Sequence, residues 1–442
     1  MALDETHDPA RVSFVEAAQQ PGCAFPIQNL PFGVIRPGGG SARVAVAIGD
    51  QALCVASAAD ALGFGGEARR AADACRGATL NALAELGRGP LRALRLALSR
   101  ALAQGPQAAE RAAALAAQQA LVPLSLCEMQ LPFAINDFTD FYTSIHHARN
   151  VGRLFRPDSP LLPNYKWVPI GYHGRASSVI VSGTPFVRPR GQVRAADADA
   201  PRFAPCARLD YEVELGFFVG AGNALGQRIA LADALDHVFG AVLLIDWSAR
   251  DIQAWEYQPL GPFLAKSFAT TISPWVVTLD ALEPFRCPLV ARPAGDPEPL
   301  PYLSAPEDRG RGGFDIEVEM SLQSAAMRAA GRAPLRLSRA SYIDAYWTAG
   351  QLVAHHSSNG CNLRAGDLIG SGTISGEAPD SLGALIELTR GGSARIELPG
   401  GETRAFLEDG DRVVQRGRCR REGYASIGFG EASAVVLEAS PE

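Results

Sequence analysis

Two glutamates two residues apart are the first sign of chemistry. In Tyr211-Glu212-Val213-Glu214-Leu215-Gly216-Phe217-Phe218 they interrupt an otherwise apolar, β-prone run. A strand's period of two puts both carboxylates on one face, where they converge on a single spot. The same spacing recurs in Asp315-Ile316-Glu317-Val318-Glu319-Met320, so the chain carries its own control. An isolated pair of this kind is usually the solvated side of an amphipathic strand, and spacing alone does not choose between the two runs. Context favours Glu212 and Glu214. Asp246 closes the apolar run Val242-Leu243-Leu244-Ile245, which predicts an acid at a strand end where a helix begins. Asp246, Arg250, Gln253 and Tyr257 then fall on one stripe of that helix, a spacing that also fits a solvated helix face. Upstream, Asp137, Asp140, Tyr142, His146 and His147 lie close together, followed by Arg149 and Arg156, in a chain of only 7 histidines. Acids on separate segments with no cysteine partner suit a hard, oxygen-preferring ion such as Mg²⁺ or Ca²⁺ over zinc.

Elements must hold these side chains. At roughly 150 residues per domain the 442 residues suggest two or three domains. Residues 10–55 read as strands and turns, with apolar runs at Phe25–Ile35 and Ala42–Gly49. From Ala56 to Gln119 the composition turns to Ala, Leu, Arg and Glu at helical spacing, as in Leu91, Leu94, Leu98 and Leu102. The texture changes again after Pro123, which predicts an N-terminal unit over 1–125 and a catalytic unit over 126–442. Strands are expected at 178–182, 211–219, 240–245, 314–320 and 432–437, and an exposed loop over Asp296–Gly313. With 45 glycines and 31 prolines, many turns join many short strands, so the fold class is mainly β with some α.

Composition excludes several functions. Hydrophobic residues make up 47% and charged ones 20%, and no run approaches the roughly 18 uncharged apolar residues of a membrane span. The opening Met-Ala-Leu-Asp-Glu-Thr-His-Asp has early acids and no apolar core, which predicts neither secretion nor organelle import and hence a cytoplasmic protein. With 47 acids against 41 bases and no basic run, no nucleic-acid partner is expected. The 8 cysteines are scattered singly and read as reduced packing residues. Only Lys166 and Lys266 are lysines, in a chain whose other bases are arginines, so each invites a question about amine chemistry; Lys166 reads as plain surface. Gly220-Ala-Gly222 with Gly226 mimics a dinucleotide fingerprint, but the strand before it carries two glutamates and no helix follows directly.

Longer strings carry a resemblance. They are Phe25-Pro-Ile-Gln-Asn-Leu-Pro-Phe-Gly-Val, Asp140-Phe-Tyr-Thr-Ser-Ile-His-His-Ala-Arg-Asn-Val-Gly, Gly171-Tyr-His-Gly-Arg-Ala-Ser-Ser and Asp246-Trp-Ser-Ala-Arg-Asp-Ile-Gln. Further on stand Pro259-Leu-Gly-Pro-Phe-Leu-Ala-Lys-Ser-Phe, His355-His-Ser-Ser-Asn-Gly-Cys-Asn-Leu-Arg and Ser371-Gly-Thr-Ile-Ser-Gly. In this order, nearly end to end, the chain resembles the fumarylacetoacetate hydrolase family, which acts at the last step of tyrosine catabolism. The resemblance implies a small SH3-like β-barrel N-terminal domain, a larger C-terminal β-roll domain and a homodimer. It implies metal carboxylates at Asp140, Glu212, Glu214 and Asp246, with Lys266 and Thr270 lining the metal pocket and Glu317 and Glu319 merely structural.

By the same resemblance His147 is the general base, chosen over His146 by its spacing from Asp140, and Glu387 in Leu385-Ile-Glu-Leu orients it. Arg250, Gln253 and Lys266 surround the developing oxyanion. Tyr142, Arg156, Tyr172, Tyr257 and Thr373 contact substrate. The implied reaction is hydrolysis of a carbon–carbon bond in a 1,3-diketo acid, giving fumarate and acetoacetate. A histidine of pKa near 6.5 can take the water proton at neutral pH, and fixed cations suit the oxyanion. Acylpyruvate hydrolysis, dienoate hydration and oxaloacetate decarboxylation use the same kind of carboxylate site, so the metal alone does not select among them. A non-catalytic protein with a vestigial site is a further alternative.

Overall fold

Glycine-punctuated apolar runs near the N-terminus fold into a five-stranded antiparallel sheet. The computed structural model, which describes residues 3–195 and 197–441, orders this sheet Leu121–Pro123, Gln51–Cys54, Arg43–Ile48, Phe32–Pro37, Cys127–Gln130. Its two outer strands are consecutive in the chain, joined only by the turn Leu124–Leu126, so the sheet curls until its edges approach. No ladder closes it into a barrel among the described residues. Cys127–Gln130, just past the expected division after residue 125, pairs with Phe32–Pro37. The Ala- and Leu-rich stretch forms helices, the longest being Arg88–Leu102, whose Leu91, Leu94, Leu98 and Leu102 face the core at three- and four-residue intervals.

The rest of the chain is built on an eight-stranded sheet. Its order is Gly171–His173, Phe138–Phe141, Leu368–Gly370, Leu209–Val219, Val238–Ala249, Thr270–Ile272, Val179–Val181, with Val277–Thr278 beside Val238–Ala249. A second sheet runs Leu335–Ser341, Glu317–Gln323, Arg412–Cys419, Ile427–Leu437, Phe186–Val187 and packs on the first through one large core. The expected strands at 178–182, 211–219, 240–245, 314–320 and 432–437 all fall on these elements or overlap them.

Period-two alternation explains where the site lies. In Leu209–Val219 every residue is buried, and Leu209, Tyr211, Val213, Leu215 and Phe217 point into the core between the two sheets. The opposite face changes character along its length. At one end Phe218, with Val242 and Leu244 of the neighbouring strand, shares a core with the N-terminal sheet and helices, and Phe133, just after that sheet, stacks on Phe218 with ring centroids 4.4 Å apart. At the other end the same face carries carboxylates. The N-terminal sheet and helices thus cover the apolar half of that face and leave the acidic half uncovered.

Two sequence expectations are corrected. Asp246 does not end a strand: Val238–Ala249 runs three residues further, and the helix is Arg250–Glu256. Asp246 looked terminal because it breaks an apolar run, yet that break reflects which face it occupies while the ladder continues to Leu209↔Ala249. Asp246 and Arg250 therefore share no helical stripe. The segment Asp296–Gly313 is not simply a loop, for it holds the turn Pro301–Leu303 and the helix Pro306–Arg311, with Leu303 fully buried. Gln351 donates to the Leu303 carbonyl at 2.8 Å and Thr348 to Asp308 at 2.8 Å, which anchors it. All 8 cysteines are free; Cys54, Cys75, Cys206 and Cys419 are buried. Among the described residues no helix is long and apolar enough to cross a membrane.

Candidate active site and metal centre

Strand register brings the four acids together. Glu212 and Asp246 are direct cross-strand partners, Glu214 lies two residues on along the same face, and Asp140 pairs with Gly370 in the parallel ladder. One oxygen from each of Asp140, Glu212, Glu214 and Asp246 lies within 4.8 Å of all the others, and all four residues are buried. Gly370 permits this, since a Cβ there would stand 2.4 Å from Asp140 Oδ1 and 3.2 Å from Glu214 Oε2. Gly372, at φ +73°, turns its backbone N–H onto Glu214 Oε2 at 3.1 Å.

Charge in this cluster is unbalanced. Lys266 Nζ donates to Glu212 Oε2 at 2.5 Å and also to Asp246 Oδ2, and Arg250 Nη2 meets Glu212 Oε1 at 2.7 Å. Both cations thus lean on Glu212, so although burial pushes its pKa up, they outweigh burial and hold it well below the carboxylate range. Burial together with Asp140 and Asp246 drives Glu214 well above that range. Burial likewise raises Asp140, and raises Asp246 to about 7 against the pull of Lys266. Asp140 Oδ1, Glu214 Oε1 and Asp246 Oδ1 are buried without a hydrogen-bond donor. Unpartnered carboxylate oxygens converging in a space kept clear by a glycine fit a divalent cation with oxygen ligands. Thr270, the cross-strand neighbour of Asp246, is buried beside them.

A histidine–carboxylate pair faces the cluster. Ser144 caps the helix Ile145–Phe155 by accepting from the His147 backbone N–H at 3.2 Å, which fixes His147 in the first turn. Its Nδ1 donates to Glu387 Oε2 at 2.6 Å, and its Nε2 lies 3.6 Å from Glu212 Oε1. His146 is only half-buried and takes no part in these contacts. Burial works against a charged His147, but Glu387 and Glu212 prevail and raise its pKa to about 9. Glu387, on the short helix Leu385–Leu388, also accepts from Asn150 at 2.9 Å and Ser375 at 2.8 Å.

A cavity of about 480 Å³ opens over this assembly. Asp140, Tyr142, His147, Arg156, Tyr172, Glu212, Arg250, Gln253, Tyr257 and Lys266 line it, so most of the residues singled out by sequence meet in one place. Tyr172 donates to Asp246 Oδ2 at 3.1 Å and the Tyr142 ring stands edge-on to His147. Arg250 and Gln253 come from one helical turn and hydrogen-bond at 3.1 Å. Glu387 lies behind His147, and Thr373 is buried outside the lining with its hydroxyl unpartnered. Lys166 is no plain surface residue: it pairs with the buried Asp296. Sequence reading missed Asn150, Ser375, Gly370, Gly372 and Asp210. Asp210 left a local signal, since it extends the alternation of Glu212 and Glu214 one step upstream, whereas Asn150, Gly372 and Ser375 stand only as unremarked members of the strings that carry the resemblance.

Comparison with known proteins decides the family. Residues 137–436 match the model for the fumarylacetoacetate (FAA) hydrolase C-terminal region, and residues 28–132 match that for the fumarylacetoacetase N-terminal region. The chain belongs to the fumarylacetoacetate hydrolase family. A fumarylacetoacetase from Oryza sativa is 46% identical over 434 residues, covering 97% of this chain and 98% of its own. The Homo sapiens fumarylacetoacetase is 45% identical over 430 residues, 97% of this chain and 99% of its own. Among solved structures, one assigned to HpcE of Mycobacterium smegmatis superposes with a TM-score of 0.51 at 19% identity, covering 92% of this chain and 99% of that one, which is a likeness of fold alone. Among the described residues, the cluster of four acids is a group that could hold a metal ion.

Proposed function

We propose that this chain is a fumarylacetoacetase, hydrolysing the carbon–carbon bond of 4-fumarylacetoacetate to fumarate and acetoacetate. The observation that carries this reading is one cavity lined by His147, Arg250, Lys266, Asp140 and Glu212, with Glu387 behind His147 and with Glu214 and Asp246 converging on the two lining acids, in a chain 45% identical to a named fumarylacetoacetase over nearly its whole length. Asp140, Glu212, Glu214 and Asp246 would hold a divalent cation, for which an all-oxygen set favours Mg²⁺ or Ca²⁺, with Lys266 and Thr270 beside it. Such an ion, when bound, supplies a Lewis-acidic grip on diketone oxygens.

The chain's own residues do the rest. His147 Nε2 takes a proton from water as the oxygen attacks the carbonyl carbon, while Glu387 fixes the Nδ1–H tautomer and steadies the imidazolium. The base must be neutral to do this, and positive charge brought to Glu212 works in that direction because Glu212 helps hold the proton on the ring. Lys266 and Arg250, with Gln253, stabilise the tetrahedral oxyanion. The oxyanion then collapses to the carboxyl group of fumarate as the carbon–carbon bond breaks, and the carbanion of acetoacetate receives the proton held on His147 Nε2. Arg156, Tyr142, Tyr172, Tyr257 and Thr373 orient the anionic substrate.

We further read the curled N-terminal sheet as an SH3-like barrel and the paired sheets as a β-roll, with a division between the two units near residue 125 and assembly as a homodimer. The adjoining edges Leu121–Pro123 and Cys127–Gln130 support the barrel, and the position of the second of these draws the N-terminal unit a few residues further. Sedimentation tests the dimer. The function is tested by loss of diketone absorbance of fumarylacetoacetate with metal-stripped enzyme and again after Mg²⁺ or Ca²⁺ is restored. Turnover should return with the ion; none in either state would refute the assignment.

A further inference from the structure

We propose that Asp210 is a positioning residue that ties the oxyanion cation Arg250 to the general-base pair, a role that rests on the hydrolase reading above. Asp210 is fully buried on the strand Leu209–Val219, two residues before Glu212. It stands outside the group of four metal-suited acids and does not line the cavity. Four donors nevertheless converge on it. Oδ1 accepts from the backbone N–H groups of Tyr211 and Leu385, both at 2.8 Å, and Oδ2 accepts from Arg250 Nε at 2.8 Å and from the Ile386 N–H at 3.1 Å.

These bonds reach both halves of the machinery. Leu385 and Ile386 open the four-residue helix whose third residue is Glu387, so Asp210 docks the element that aims Glu387 at His147. Arg250 is gripped at Nε, which leaves its Nη2 end to meet Glu212 at 2.7 Å at the cavity. The backbone supplies a second tie, since Val213 N–H donates to the Gly383 carbonyl at 2.9 Å. Asp210 itself hydrogen-bonds none of the metal-suited acids and reaches Glu212 only through Arg250, so its removal first frees the direction of two groups. Asparagine makes a discriminating replacement because its NH2 cannot accept, so one pair of donors is left buried and unpaired.

The test is Asp210→Asn in the full chain. A misplacement of catalytic groups by about 1 Å costs on the order of 10²-fold in rate, so kcat should fall by about that factor with KM within about threefold. Affinity for Mn²⁺, measured by calorimetry, should also stay within about threefold, whereas a residue that supports metal ligands costs 10- to 100-fold. Hydrogen exchange at Leu385 and Ile386 should accelerate. A folded variant with kcat within about twofold of the parent overturns the proposal. So does a parallel collapse of kcat and Mn²⁺ affinity, which would make Asp210 a support of the metal centre. If the variant does not fold, exchange in the parent protein decides: protected Leu385 and Ile386 amides uphold the clamp, and unprotected ones overturn it. If the parent with restored ion turns over no fumarylacetoacetate, the hydrolase reading fails, and the exchange and Mn²⁺ results judge the clamp separately.

Discussion

Two strands of this chain carry the same alternation, Asp210-Tyr-Glu212-Val-Glu214 and Asp315-Ile-Glu317-Val-Glu319, with opposite outcomes. The first lies in the middle of the eight-stranded sheet with every residue buried. The second lies in the smaller sheet, and its glutamates remain partly exposed. There Arg339 Nη2 meets Glu319 at 2.6 Å, Arg336 adds a contact at 3.4 Å, and Arg418 pairs with Glu317. Arginines on the neighbouring strands thus neutralise the second pair. Around the first, Lys266 and Arg250 serve Asp210, Glu212 and Asp246 between them and leave Glu214 and Asp140 with buried, unpartnered oxygens. An identical residue pattern is therefore a salt-bridged surface or an ion site depending on what the adjacent strands bring and on whether water can reach it.

The sharpest way to break that comparison is to neutralise one glutamate in each strand. Glu214→Gln should lower Mn²⁺ affinity by at least about 10²-fold and remove turnover at ordinary ion concentrations, exceeding the 10- to 100-fold cost typical of outer supporting groups. Glu319→Gln should leave both unchanged and move stability by no more than about 0.5 kcal/mol. Equal losses in calorimetry and turnover would mean that the two strands are not functionally distinct.

A smaller effect is expected at the two lysines. Lys266 lines the cavity and serves Glu212 and Asp246, whereas Lys166 pairs with Asp296 and neither of these lines it. Lys266→Arg should cut kcat by roughly 10²-fold, because a planar fork cannot replace a point charge placed between two carboxylates. Lys166→Arg should stay within about twofold. Similar activity in both variants would remove the special role of Lys266.

Legibility in the sequence follows the same physics. The glutamate pair, the helical stretch and the candidate strands were readable because alternation and periodicity report which face is covered. The helix stripe through Asp246 was misread because a polar residue in a buried strand looks like a strand end until its neighbours are known. His147 and Glu387, 240 positions apart, were reached only through family resemblance, since no local pattern joins them. Ser375 and Asn150, although inside strings that carry the resemblance, show no local pattern, being common residue types whose role exists only where the chain brings them to Glu387. Gly370 tests how tightly that assembly is built. Gly370→Ala puts a methyl 2.4 Å from Asp140 Oδ1. It should cost about 1–3 kcal/mol in denaturant unfolding and weaken Mn²⁺ binding by roughly tenfold; an unaltered affinity would mean that Asp140 can move without consequence to the ion.

The smallest expected effect separates the strands by the sign of a pH dependence in metal-stripped protein. Burial, with Asp140 and Glu212, raises Asp246 from the ordinary 3.8 to about 7 against Lys266. The folded form therefore holds this proton more tightly than the unfolded chain, so the contribution of Asp246 is fully present below about pH 4 and lost as pH rises through about 7. At Glu319 burial also raises the pKa, but Arg339 and Arg418 outweigh it and the net shift is downward. Its contribution is present above the ordinary carboxylate range and lost on acidification. Urea midpoints of stripped Asp246→Asn should therefore gain on the parent as pH rises from about 5 to 7, while those of Glu319→Gln gain as pH falls from about 5 to 3. Restoring a divalent ion should reverse the first trend, since binding to the ionised acids rewards the charge that folding alone penalises. The second trend should not respond to the ion. A common sign for both variants would show that the arginines around Glu319, rather than burial at Asp246, had been given the wrong weight.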